Sequence, residues 1–209
     1  MSNLFLRISS SVIMLPVIIY ILFLKNFLFY LTLVILFAFT VYELKFLVKK
    51  KILIFLLLLF TLSFFVFSII SLRGEGIIDF YYILWWMSIV WLSDLGGYIF
   101  GKIFKGFKFT KISPNKTISG LIGSFFLSQY AFLIIYYSLD ISYSYYIFIF
   151  QFLVCIISIL GDLFFSYLKR KNNIKDFSKI IPGHGGILDR IDGLMPAIIF
   201  IYFFRFIYE

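Results

Sequence analysis

Cysteine, histidine and charge are all scarce in this chain of 209 residues. The single cysteine, Cys155, lies in an apolar run and excludes both a disulfide framework and a cysteine-rich metal site. The single histidine, His184, excludes a cluster of imidazole ligands. Charged residues make up 14% of the chain, about half the share of an ordinary globular domain, which excludes a surface bathed in water on every side.

Apolar residues are abundant instead. Hydrophobic residues make up 63% of the chain, and 30 Phe and 15 Tyr are too many for one water-soluble core of this size. Such a chain must use lipid as its solvent. The composition therefore predicts an integral membrane protein.

Apolar runs of roughly 20 residues predict the membrane-spanning helices. The predicted spans are about seven in number, near 5–24, 27–47, 52–72, 77–100, 118–139, 143–166 and 187–207. The first run lacks a small-residue cleavage site, so we expect a retained helix rather than a signal peptide. The predicted fold is an all-α polytopic helical bundle.

The net charge of +9 is distributed as in a membrane protein. Basic residues cluster at one end of the predicted spans, and the opposite end holds only Lys25, Arg73 and Arg205. The clusters comprise Arg7 and the segments 45–51, 102–116 and 169–190. This asymmetry predicts a cytoplasmic N-terminus and an external C-terminus. It also explains the positive charge without a nucleic-acid partner, and we expect none.

Four carboxylates fall at or near the cytoplasmic ends of predicted spans, namely Asp94, Asp162, Asp189 and Asp192. A carboxylate in or beside hydrocarbon costs several kcal/mol unless it is paired or bound to metal, so each is a functional candidate. Because all four carboxylates lie on the same side of the membrane, we predict a polar cavity that faces the cytoplasm.

The segment 166–192 concentrates the remaining polar chemistry. Its basic side chains suit phosphate oxygens, and its glycines let backbone amides approach an anion. On a helix Asp189 and Asp192 share one face, and with Asp162 they could hold a hard divalent cation. Carboxylates, a cation and basic groups together are what nucleotidyl or phosphoryl transfer requires. The basic residues and glycines are Lys169, Arg170, Lys175, Arg190, Gly183, Gly185 and Gly186.

Each of these features also has a simpler interpretation. Lysines at a helix end commonly form a solvated flank, a Gly-His-Gly-Gly run is often a plain loop, and Asp189 with Arg190 could be a structural ion pair. On the residues alone, His184 is best interpreted as a hydrogen-bond donor in a loop. The density of all these features within 166–192 favours a functional site.

Two other patterns have structural interpretations. Residues 96–102 read G-x4-G-K but lack the Ser or Thr that a phosphate-binding loop needs, so Gly97 and Gly101 are predicted to form a close helix–helix contact. Glu43, near the cytoplasmic end of the second span, is expected to pair with a lysine near Lys45.

Residues 166–192 resemble the signature of the phosphatidate cytidylyltransferases, the CDP-diacylglycerol synthases. That signature reads S-x-[hydrophobic]-K-R-x4-K-D-x-[GSA]-x2-[LIF]-[PG]-x-H-G-G-[hydrophobic]-x-D-R-[hydrophobic]-D, and every fixed position is met. Upstream, 94–102 resembles D-x-x-A-Y-x-x-G-[RK], 112–123 resembles I-S-P-K-K-T-W-E-G-x-x-G, and 158–163 resembles S-x-x-G-D-L. The resemblance covers roughly 91–195.

The resemblance implies a reaction in which the phosphate of phosphatidic acid attacks the α-phosphorus of CTP, giving CDP-diacylglycerol and pyrophosphate. It implies Mg²⁺ held by Asp162 and Asp189, with Asp192 nearby, and K⁺ as a second cation. It further implies a multi-pass homodimer in the cytoplasmic membrane, surrounded by lipid, with its active site facing the cytoplasm.

The resemblance also distributes roles among the residues. We expect a single membrane domain. Residues 1–75 are predicted to form N-terminal transmembrane helices, and residues 76–209 are predicted to form the catalytic transmembrane region. The catalytic candidates are Asp162, Lys169, His184 and Asp189, with His184 acting at the triphosphate. The substrate-binding candidates are Ser113, Lys116, Thr117, Arg170, Lys175, Asp176, Gly185, Gly186 and Arg190, and Asp94 is a further candidate.

Two departures from the family pattern bear on activity. Phe165 and Ser119 stand where the family usually carries acids, which affects the expected second cation site and the rate. The alternatives are a CTP-dependent kinase of a lipid alcohol and a catalytically degenerate membrane scaffold.

Overall fold

The computed structural model describes residues 3–47, 52–110, 113, 116–178, 180 and 185–205. These residues form an all-helical fold, as predicted. A 3₁₀ turn, Gln129–Ala131, joins the fifth and sixth helices. The α-helices are α1 (Asn3–Leu24), α2 (Phe27–Leu47), α3 (Ile52–Arg73), α4 (Ile77–Phe104), α5 (Ile118–Ser128), α6 (Phe132–Leu139), α7 (Tyr145–Lys171), α8 (Leu188–Ile191) and α9 (Leu194–Phe204).

Among the described residues, five helical segments are long and apolar enough to cross a membrane. They are Phe27–Lys45, Ile52–Arg73, Ile77–Phe104, Ile118–Leu139 and Tyr145–Lys171. The first predicted span corresponds to α1, in which Ile13–Leu24 is an apolar stretch, and the last corresponds to a shorter apolar helix, Leu194–Phe204. The helices therefore indicate a polytopic membrane protein, whereas the count of seven spans stays a prediction.

Helix α4 is the centre of the bundle. It packs against α1, α3, α5, α6, α7 and α9. Its middle turns bury Ile83, Trp85 and Ile89 completely, so the helix is apolar around most of its circumference. A helix with this pattern is a core helix. Its far end carries Asp94 into the region where the other candidate residues lie.

The end of α7 and the start of α9 differ from the predicted spans. Helix α7 continues to Lys171, beyond the predicted end at 166, and stops before Asn173, whose φ of +55° is tolerated by asparagine. Within the predicted span 187–207, Asp192 and Gly193 lie between α8 and α9 and keep right-handed helical backbone angles. Asp192 Oδ1 accepts a hydrogen bond from the amide of Gly193 at 2.9 Å.

Glycines bring α4 and α5 into close contact, which confirms the interpretation of Gly97 and Gly101. A Cβ on Gly120 would lie 2.8 Å from the carbonyl oxygen of Gly97. A Cβ on Gly101 would lie 3.1 Å from Oγ1 of Thr117. Small residues allow such backbone approach between membrane helices. The contact fixes the start of α5 beside the part of α4 that carries Asp94.

An arginine and an ion pair organise the opposite end of the bundle. The buried Arg73 side chain donates to the carbonyl oxygens of Leu22 and Phe23 at 2.6 and 3.1 Å, which satisfies carbonyls at the end of α1. Lys25 Nζ lies 2.5 Å from Glu75 Oε1. The hydrogen bond from Lys25 lowers the pKa of the Glu75 carboxyl. Basic residues at this end are thus engaged in structure.

Candidate active site

The crossing of α7 and α9 places two of the candidate carboxylates together. A Cβ on Gly161 would lie 2.8 Å from the carbonyl oxygen of Asp192, and one on Gly193 would lie 2.8 Å from Ser158 Oγ. The backbones can approach this closely only because both positions are glycine. Asp162 follows Gly161 directly, so this contact brings the backbone of Asp192 next to the residue that precedes Asp162.

Asp162 forms an ion pair with Lys116. Lys116 Nζ lies 2.5 Å from Asp162 Oδ2, and Ser166 Oγ donates to Asp162 Oδ1 at 3.2 Å. Lys116 directly precedes Thr117, the N-cap residue of α5. The Thr117 hydroxyl accepts a hydrogen bond from the amide of Gly120 at 3.1 Å, the usual role of a threonine N-cap.

Lys169 forms the second ion pair of the site. Its Nζ lies 2.7 Å from Asp189 Oδ1 and 3.7 Å from Asp192 Oδ2. The ammonium group also lies 5.0 Å from the centre of the Phe177 ring, within cation–π distance. Lys169 reaches both acids because α7 extends past its predicted end.

The other carboxylate oxygen of Asp189 accepts hydrogen bonds from the neighbouring backbone. Asp189 Oδ2 accepts hydrogen bonds from the amides of Phe177 and Gly186 at 3.0 and 2.9 Å. Gly185 adopts a φ of +83°, and a Cβ there would lie 2.9 Å from the same oxygen. Position 185 therefore requires glycine for both backbone and space. A buried carboxylate needs such partners, and here it has three.

Asp94 connects these pairs to a cavity. Asp94 and Arg190 line one cavity, and Arg190 directly follows Asp189 in the chain. The cavity has a volume of about 510 Å³, and its walls are mostly apolar residues of α1 to α4. One end of the cavity is thus charged and the rest is hydrocarbon-like.

The remaining sequence candidates are distributed around these charged residues. Arg170 and Lys175 are exposed, and Ser113 is half-buried. Asp176 is exposed but adjoins the site, since a Cβ on Gly185 would lie 3.4 Å from its Cβ. His184 lies outside the described residues, so its predicted role stays a prediction.

The carboxylates suit Mg²⁺ in their chemistry, but lysines hold them in this conformation. Among the described residues, no three Asp, Glu, His or Cys side chains converge as a metal site. Asp162 is paired with Lys116, and Asp189 with Lys169. Carboxylate oxygens are the ligands that Mg²⁺ prefers. Asp189 Oδ1 has two lone pairs, and Lys169 donates a hydrogen bond to one of them. A bound cation would compete with the two ammonium groups.

Glu43 belongs beside this site, although the sequence alone gave it only an expected lysine partner near Lys45. The fully buried carboxylate accepts hydrogen bonds from Ser178 Oγ at 2.6 Å and from the amides of Ile187 and Leu188 at 2.9 and 2.7 Å. These amides lie at the start of α8, where the chain offers no helical acceptor. Lys49, Lys50 and Lys51 lie outside the described residues, so the lysine partner stays a prediction. The only sequence signal was an acid within an apolar span.

The residues at the two positions that depart from the family pattern take part in packing or hydrogen bonding. Phe165 is buried, and its ring packs edge-on against Phe177 with 6.2 Å between centroids. Ser119 donates to the carbonyl oxygen of Lys105 and lies 3.0 Å from Thr117 Oγ1.

The fold and the site together define a polytopic helical membrane protein with a cluster of lysine-paired carboxylates where α4, α5, α7 and α8 meet. Short glycine-rich segments hold this cluster beside exposed basic residues. The chain belongs to the cytidylyltransferase family, whose family model matches residues 47–208. The resemblance seen in the sequence is therefore confirmed at the level of the family.

Curated relatives agree with this assignment. The phosphatidate cytidylyltransferase of Staphylococcus aureus is 43% identical over 125 residues, which are 59% of this chain and 47% of the relative. That of Helicobacter pylori is 42% identical over 114 residues, 54% of this chain and 42% of the relative. That of Staphylococcus haemolyticus is 40% identical over 129 residues, 60% and 48% of the two chains. The chain spans about half the length of these relatives.

Proposed function

We propose that this protein transfers a cytidylyl group from CTP to phosphatidic acid, forming CDP-diacylglycerol and pyrophosphate. The observation that carries the proposal is the cluster in which Lys116 pairs with Asp162 and Lys169 pairs with Asp189. Each pair supplies a cation for phosphate oxygens and a carboxylate for a metal ion. The names of the relatives support the choice of substrates.

The chemistry asks for charge neutralisation more than for a base. A phosphate oxygen of the lipid bonds to the α-phosphorus of CTP, and the bond from that phosphorus to the bridging oxygen breaks, so that pyrophosphate leaves with the electron pair. The nucleophile is already anionic, and catalysis then depends on positioning and electrostatic stabilisation.

The described residues divide this work between them. Asp162 and Asp189, with Asp192 nearby, would hold Mg²⁺, which when bound neutralises phosphate charge and orients the reacting groups. Lys116 and Lys169 exchange their carboxylate partners for phosphate oxygens when substrate enters. We include K⁺ as a second cation and His184 as a donor to the triphosphate in the proposal.

The surrounding residues fit the two substrates. Arg170 and Lys175 are exposed, so a triphosphate could reach them from water. Gly185 and Gly186 bring the backbone against Asp176, Asp189 and Glu43 at the same place. The cavity below Asp94 and Arg190 is apolar, as acyl chains require. A lipid whose phosphate lies at the charged end of the cavity would present that phosphate to the lysine-paired acids.

The proposal includes a membrane arrangement. We propose seven spans, a cytoplasmic N-terminus and a site that opens to the cytoplasm in the cell's cytoplasmic membrane, with the chain acting as a homodimer. The support is the accumulation of Lys and Arg at one end of the spans. The substrate CTP is also a cytoplasmic nucleotide.

Pyrophosphate release from CTP by the detergent-purified protein tests the function. We expect release only with both phosphatidic acid and Mg²⁺, and none in EDTA. Asp162→Asn should abolish it, whereas the matched control Asp140→Asn, at a left-handed C-cap remote in sequence from the site motifs, should not. Formation of CDP that depends on a lipid alcohol, without pyrophosphate, would favour a kinase. Neither product from folded protein would favour a degenerate scaffold.

A further inference from the structure

We propose that Glu43 of α2 is a positioning residue that holds the two loop ends, Ser178 and Gly186–Leu188, in the conformation that binds nucleotide. The inference rests on the proposed function for its kinetic consequences. Its structural basis is independent, because it comes from contacts of Glu43 alone.

The contacts of Glu43 span both loop ends. Oε1 accepts from Ser178 Oγ and from the amide of Ile187, and Oε2 accepts from the amide of Leu188. An ionised carboxylate accepts hydrogen bonds and donates none, and all three partners are donors. The side chain is fully buried, so water cannot replace any of these bonds.

The backbone of Gly186 lies directly against the Glu43 carboxylate. A Cβ on Gly186 would lie 2.6 Å from Glu43 Oε1, so any side chain there would displace Glu43. The amide of the same glycine donates to Asp189 Oδ2 at 2.9 Å. Gly186 therefore lies between Glu43 and Asp189, and the position of one acid determines the position of the other.

This arrangement extends the site beyond the segment that carries the motifs. Glu43 belongs to α2, whereas Asp189 and its partner Lys169 belong to α8 and α7. Losing the carboxylate would free Ser178, Ile187 and Leu188 together. The loop ends would then move, and the triphosphate would lose a preorganised surface before the chemical step is affected.

Steady-state kinetics of Glu43→Gln test the kinetic part. The amide cannot accept at both ends, so at least one of the three hydrogen bonds is lost. We expect the KM for CTP to rise at least tenfold, while the KM for phosphatidic acid and kcat change less than threefold. Ser178→Ala removes one donor and should raise the CTP KM by a smaller factor. Thr40→Val, which alters a buried polar residue one turn earlier on α2, is the control and should match the unmodified protein.

Hydrogen exchange tests the structural part and needs no turnover. We expect Glu43→Gln and Ser178→Ala to increase exchange at the amides of Ile187 and Leu188, with peptides from the middle of α7 unchanged. Gly186→Ala should also increase exchange at these amides. Adding Glu43→Ala to Gly186→Ala should have little further effect, because both changes disrupt the same contact between Glu43 and the start of α8.

The outcomes separate this inference from the proposed function. Unchanged exchange at the loop ends in Ser178→Ala and in a folded Glu43→Gln protein would overturn the positioning role, as would equal rises in both KM values. If the unmodified protein makes no CDP-linked lipid, the proposed function fails. The exchange difference would still decide whether Glu43 holds the loop ends.

Discussion

Replacing Asp189 with asparagine separates its two roles, one in folding and one in chemistry. The substitution removes the negative charge that lies 2.7 Å from Lys169 Nζ. Lys169 then stays in a buried site with Asp192, at 3.7 Å, as its remaining acidic partner. The side chains of Lys169 and Asp189 are only 12% and 4% exposed. Removing one member of a buried pair costs about 3–5 kcal/mol, and the second partner favours the lower end. We expect a loss of about 3 kcal/mol in the free energy of unfolding.

Equilibrium unfolding in mixed micelles, followed by tryptophan fluorescence, measures that loss, and CTP-dependent turnover measures activity. We expect Asp189→Asn to insert and fold but to lose all detectable turnover. The matched double variant, Lys169→Gln with Asp189→Asn, removes both charges and should regain most of the stability without regaining turnover. A double variant that regains both would refute a chemical role for Asp189. A single variant with unchanged stability would refute the buried pair.

Two further predictions concern the start of α5. Lys116→Met removes the partner of Asp162, so we expect turnover to fall at least tenfold. Lys116→Arg keeps the charge and should retain part of the turnover. Equal turnover in the unmodified protein and both variants would contradict the role of this cation. Gly120→Leu forces a side chain against the carbonyl of Gly97, so we expect a lower unfolding temperature and less folded protein after purification. Gly106→Ala, in the adjoining loop with 3.7 Å of clearance to Ser119, is a milder comparison whose φ of +106° still costs some stability.

The sequence predicted the helical fold and the grouping of charged residues better than the contacts between them. Apolar runs were enough to predict an all-helical membrane fold, because lipid leaves few alternatives to a helix. The motif spacing correctly brought Asp162, Asp189 and Lys169 into one region. It did not predict that each acid is paired with a lysine, because ion pairing depends on where α5 and α7 approach each other.

The sequence could not predict the contacts of Glu43. A lysine near Lys45 was expected because it is close in sequence. The partners that the structure describes are the Ser178 hydroxyl and the amides of Ile187 and Leu188, all more than a hundred residues away. Hydropathy and charge patterns carry no information about such long-range backbone contacts.

The most direct test of the central claim follows phosphorus from CTP into lipid. The purified protein is incubated with phosphatidic acid and Mg²⁺, using CTP labelled either at the α-phosphate or at the γ-phosphate, and the organic phase is counted. Cytidylyl transfer predicts that the α-label enters the lipid and the γ-label stays in water as pyrophosphate. The γ-label in the lipid, or neither label from folded protein, would contradict the proposed activity.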